Sequence, residues 1–79
     1  MVQQRLRAVF ANLFQVDPAR LSPTATPDEI DGWDSFGHLA LVEALQGEFR
    51  VEFEIEDIAQ MANLEVIESI LRLRGAGAS

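Results

Sequence analysis

The chain has 79 residues, 48% of them hydrophobic, no cysteine, and a formal net charge of −7. That length allows one small domain burying roughly 60% of its unfolded surface, and its apolar content is too high for a disordered chain. The missing cysteines exclude disulfides, thiolate metal ligands and a thiol nucleophile of the chain's own, and the acidic balance repels nucleic acid.

No apolar run approaches the roughly 18 residues of a membrane span, and the N-terminus lacks a basic-then-apolar signal, so no membrane partner and a cytoplasmic setting are expected. Twelve of the acids fall between Asp28 and Glu68, where Arg50 is the single base. Such a field keeps a small domain soluble and speeds encounter with basic protein surfaces.

Val2, Leu6, Val9, Phe10 and Leu13 form the stripe of an amphipathic helix, with Arg5, Arg7, Asn12 and Gln15 on its wet face. Pro18 limits its far end. Residues 17 to 34 read as a long connection, broken by Asp17-Pro18, Ser22-Pro23, Thr26-Pro27 and Asp31-Gly32. Leu21, Ile30 and Trp33 are its expected anchors, and a short helical turn fits between Ala19 and Leu21. A connection of this length in a compact domain points to a functional loop.

A second helix starts near Ser35, with Asp34 or Ser35 as its N-cap. Phe36, Leu39, Val42, Leu45 and Phe49 read as one broad apolar face, widened by Leu41. Gly37 and Gly47 each cost roughly 1 kcal/mol of helix stability against alanine. Val51 to Glu56 alternates as a strand would, but no second strand is available. An extended loop dropping Val51, Phe53 and Ile55 onto the core is therefore expected. A short helix follows around Glu56 to Met61. Asn63 then caps a last helix whose apolar face is Leu64, Ile67, Ile70 and Leu71, with Arg72 and Arg74 near its negative end. Residues 75–79 read as a flexible tail. The whole is three main helices and one short one around a single core.

A catalytic triad of Ser35, His38 and Asp34 is a poor reading. All three sit in one helical turn, and a third orienting group from elsewhere, an oxyanion hole and a cleft are missing. Aligning Gly32 with the sixth position of a calcium loop puts Pro27 first and His38 twelfth, where oxygen ligands belong. One histidine without cysteine argues against zinc or haem, so neither a catalytic residue nor a metal ligand is assigned. His38 reads as polar surface, and Trp33 as a plug for the long loop. What the pattern does offer is a serine hydroxyl at a helix start, where unpaired N–H groups and a partial positive charge suit a phosphate.

Gly32-Trp33-Asp34-Ser35-Phe36 resembles the Gly-x-Asp-Ser-Leu signature of acyl carrier proteins. The resemblance continues through Leu39, Leu41, Val42, Leu45, Glu48 and Phe49, the Val51–Ile55 loop, Asn63-Leu64 to Leu71, and the Asp17-Pro18-x-x-Leu21 turn. It implies an all-α four-helix bundle of the acyl-carrier type, with a long loop between the first and second helices. It covers one domain over 1–79, with its core at about 2–74.

It also implies that a phosphopantetheinyl transferase moves 4'-phosphopantetheine from coenzyme A onto Ser35, with Asp34 supporting the modification. The arm's thiol would carry acyl groups as thioesters between acyl-loading, condensing or acyl-transfer enzymes. The carrier, a monomer, would itself catalyse nothing. By position the implied partner surface includes Asp34, Phe36, Gly37, His38, Ala40 and Glu43. Phe36 stands for the usual leucine, and Gly37, Ala40, Gln46 and Gly47 stand where acids are common. These departures point to a specialised lipid or polyketide-like pathway rather than housekeeping fatty-acid synthesis. An aminoacyl or peptidyl carrier, and an unmodified interaction module of the same fold, are the alternatives.

Overall fold

The computed structural model describes residues 2–76. Helix α1 is Val2–Phe14, α2 Ser35–Phe49, α3 Ile55–Gln60 and α4 Leu64–Leu73. Two 3₁₀ turns, Pro18–Arg20 and Pro27–Glu29, punctuate the connection from α1 to α2, and no strand occurs among the described residues. Val2, Leu6 and Phe10 of α1 pack with Leu41, Val42, Leu45 and Phe49 of α2 and Leu64, Ile67, Ile70 and Leu71 of α4 in one apolar core. Each such side chain contributes about 1.5–3 kcal/mol when removed from water.

The long connection is held at its expected anchors. Leu21, Ile30 and Trp33 are all buried. Helix α1 ends before Pro18, with Gln15 in the left-handed region at φ 58°. Pro18 instead opens the first turn, where the Asp17 carboxylate accepts from the Ala19 N–H at 2.9 Å. The second turn was not expected from the sequence. Arg7 departs from its predicted wet face: half-buried, it donates to the carbonyls of Leu21 and Pro18 and so braces the loop against α1. At the loop's other side the Glu65 N–H donates to the Pro23 carbonyl at 2.8 Å, joining it to the start of α4.

Three apolar side chains expected in the core are outside it. Phe36 and Leu39 are 85% and 61% exposed, and Ile55 is 83% exposed. Steps of three residues fall about 60° short of a helical turn, so Phe36 and Leu45, three such steps apart, lie on opposite sides of α2. Ile55 is the first residue of α3, so the period of two that buries Val51 and half-buries Phe53 has ended there. Between them the Gln46 side-chain oxygen accepts from the Phe53 N–H at 3.1 Å, fixing the extended segment to α2.

Asn63 caps α4 as expected, its side-chain oxygen accepting from the Val66 N–H at 2.8 Å. The far end of α4 corrects the predicted tail. Gly75 takes φ 103°, its N–H donates to the Arg72 carbonyl, and the Ala76 N–H donates to the Leu71 carbonyl. This pair of bonds is a Schellman closure, and Ala76 is buried by it. Residues 75 and 76 thus belong to the folded unit, while the rest of the expected tail, 77–79, lies outside the described residues.

Arg74 is not simply placed against the helix dipole. Its guanidinium grips both carboxylate oxygens of buried Asp57 at 2.7 and 3.0 Å, tying α4 to α3. The same carboxylate accepts from the Glu54 N–H at 2.8 Å.

Candidate functional site

The site is built where the loop enters α2. Gly32 adopts φ 92°, a conformation that glycine takes without strain, and turns the chain toward the helix. Its carbonyl lies against Gly37, where an added Cβ would stand 1.9 Å from the Gly32 oxygen. Gly37 is therefore an internal packing position, which accounts for a glycine in the first turn of a helix.

The two cap options separate cleanly. Asp34 is the N-cap, and its carboxylate accepts from the Gly37 N–H at 2.8 Å. Ser35 is the first residue of α2 and is exposed. The Gly37 N–H is taken by that cap and the His38 N–H by the Asp34 carbonyl. The N–H groups of Ser35 and Phe36 belong to the first turn and have no intrahelical acceptor. An electrophile arriving from solvent, or a large enzyme presenting a group to be transferred, reaches the Ser35 hydroxyl without moving the core.

Trp33 is 3% exposed. Phe14 lies near-parallel to it with ring centres 6.2 Å apart, and Phe10 meets it edge-on at 5.1 Å. The expected plug is thus in place, with the His38 ring nearly coplanar at its edge, centres 6.1 Å apart. His38 is half-buried rather than surface. The Trp33 indole N–H donates to its Nδ1 at 2.8 Å, and its Nε2 lies 3.0 Å from the Ile58 carbonyl of α3. An indole nitrogen only donates and a carbonyl only accepts, so the imidazole is neutral with its proton on Nε2.

Helical angle alone places His38 with Leu41, Val42 and Leu45 on the inner side of α2, a signal that the sequence reading passed over. Of the implied partner positions, Asp34, Phe36 and Glu43 are exposed and Ala40 is half-buried, whereas Gly37 and His38 are occupied by internal contacts.

Beside Ser35 runs an open groove of about 620 Å³ between α2 and α3. Ser35, His38 and Leu39 form one wall, and Ile58, Ala59 and Met61 the other. Its lining is largely apolar, and the exposed Ser35, Leu39 and Ala59 border it. Among the described residues, no group of three or more His, Cys, Asp or Glu side chains is placed to hold a metal ion, and no helix is long and apolar enough to cross a membrane.

No profile of a known protein family matches the chain, and no curated protein does. Among solved structures, the chain is similar to the solution NMR structure of a holo acyl carrier protein from Geobacter metallireducens. The TM-score is 0.82 at 20% identity, over 92% of this chain and 84% of that one. The fold is thus the all-helical bundle of the acyl-carrier type.

Proposed function

We propose that this chain is an acyl carrier whose Ser35 bears a 4'-phosphopantetheine arm. One observation carries the reading: an exposed serine hydroxyl begins α2 directly after its aspartate cap, at the border of an apolar groove, in an acyl-carrier-type bundle. The residues present fit such a group. The free N–H groups of the first turn favour a phosphodiester. Leu39, Ile58 and Met61 offer apolar contact to a chain leaving the serine. When bound, the arm supplies the thiol that this cysteine-free chain lacks.

In the modification, Ser35 Oγ attacks the phosphorus of coenzyme A that bears the pantetheine. The P–O bond to the nucleotide bisphosphate breaks, and the hydroxyl proton passes to a base of the transferase. Asp34 holds the turn that presents the hydroxyl through its bond to the Gly37 N–H. The carrier then delivers thioesters by tethering them, which raises their effective concentration at a partner's active site. Phe36 and Leu39, exposed beside the serine, are the apolar contacts offered to loading, condensing or transfer enzymes. The pathway favoured is a specialised lipid or polyketide-like one, because the outer side of α2 presents Phe36, Leu39, Ala40 and Gly47 around a single acid, Glu43.

The test is an intact-mass measurement after incubation with coenzyme A and a broad-specificity transferase. The wild type is expected to gain one phosphopantetheinyl group, and Ser35→Ala none. An unchanged wild-type mass, or an arm that persists in Ser35→Ala, overturns the reading.

A further inference from the structure

His38 touches both sides of the groove. Its Nδ1 accepts from Trp33 at the end of the loop, and its Nε2–H donates to Ile58 of α3. Both partners also line the groove. Helix α3 has six residues, too few to hold itself together without tertiary contacts. One side of it is tied by Asp57 to Arg74, and another by the His38 bond. The groove leads an apolar chain rooted on Ser35 along the seam between α2 and α3, and the imidazole spans that seam.

We propose that His38 is a latch across this seam, a positioning residue that keeps a chain attached at Ser35 in the outer groove and out of the core. The proposal deepens the carrier reading and rests on it for the attachment point. To slide between α2 and α3 at the ring, a chain must separate the His38–Ile58 bond and leave the imidazole Nε2–H without an acceptor and the Ile58 carbonyl with the Met61 N–H alone, in a region where unpaired polar groups are costly. The cargo class that fits is therefore one that needs no burial in its carrier: short, or polar along its length, and open to partner enzymes at the thioester.

The test has an arm that needs no modification. Amide hydrogen exchange of the unmodified 79-residue chain is compared for wild type, His38→Ala and His38→Gln, glutamine retaining one acceptor and one donor. Exchange at Ile58 to Met61 is expected to speed about tenfold in His38→Ala, with α1 and α4 little changed, and to be partly restored in His38→Gln. Unchanged exchange in α3, or equal acceleration in every helix, overturns the latch. Should His38→Ala fail to fold, imidazole ¹⁵N NMR of the wild type decides. A proton on Nε2 with Nδ1 as acceptor supports the latch, and a proton on Nδ1 overturns it.

In the second arm, butyryl and dodecanoyl thioesters are loaded on wild type and His38→Ala and cleaved with hydroxylamine. The wild type is expected to release both within about twofold of each other. His38→Ala is expected to shield the long chain at least fivefold. Shielding of the long chain in the wild type, or equal release in both proteins, overturns the latch. A wild type that takes no arm overturns the carrier reading instead and leaves the exchange and nitrogen measurements standing.

Discussion

Asp34 and Ser35 divide two duties that the sequence could not separate, because aspartate and serine are about equally good N-caps. The carboxylate holds the Gly37 N–H, and the hydroxyl is left to solvent. Asp34→Asn keeps an oxygen acceptor and should change stability by no more than about 0.5 kcal/mol, while Asp34→Ala should cost about 1 kcal/mol. If the charge of Asp34 supports transfer to Ser35, both variants lose modification rate. Urea unfolding set beside the rate of arm attachment separates the two effects, and an Asp34→Asn protein modified as fast as wild type removes the charge from the account. The place of Ser35 at the start of α2 was legible because its motif is five contiguous residues. The bonds of His38 were not, since Trp33 and Ile58 come to it only once the loop and α3 have folded back on α2.

Helices α1, α2 and α4 follow from their apolar spacing, the short α3 from the acids at its start, and Asn63 marks the start of α4. The faces of α2 are less legible. Apolar residues three apart suggest one face but walk around the helix, so Phe36 and Leu39 lie outside. The two glycines of α2 show the same limit. By propensity they are equal defects, yet Gly37 lies against the Gly32 carbonyl and Gly47 has open space around it. Gly37→Ala should destabilise by about 2 kcal/mol, because overlap with a backbone oxygen outweighs the gain of roughly 1 kcal/mol in helix propensity. Gly47→Ala should stabilise by up to about 1 kcal/mol. Thermal melts should move in opposite directions, by several degrees per kcal/mol in a domain of this size, and a shift of the same sign in both refutes the assignment.

Across the whole molecule, α3 depends on α4 through Asp57 and Arg74. Asp57's carboxyl is held below the usual carboxylate range, first because Arg74 hydrogen-bonds it and then because the Glu54 N–H does. A carboxylate depressed in the folded state adds stability that is complete above its ordinary value of 3.8 and is lost as pH falls through the lower folded value. Wild type should therefore exceed Asp57→Asn in urea midpoint at pH 7, and the gap should narrow as pH drops below about 4. A gap that stays constant down to pH 3 shows that the carboxylate charge contributes nothing. This tie could not be read from the chain. Asp57 is one acid among twelve in that stretch, and its burial follows only from where α4 ends.

The contact between Gly32 and Gly37 also limits how this protein could be redesigned. Positions 36, 39, 40, 43 and 47 share the outward side of α2, so a foreign recognition pattern can be grafted there by changing side chains alone. Position 37 cannot join the graft, because a bulkier residue would push the serine's turn away from the helix it starts. An exchange of this surface with another bundle of the same fold would have to transplant the loop and helix together wherever the donor lacks this glycine pair.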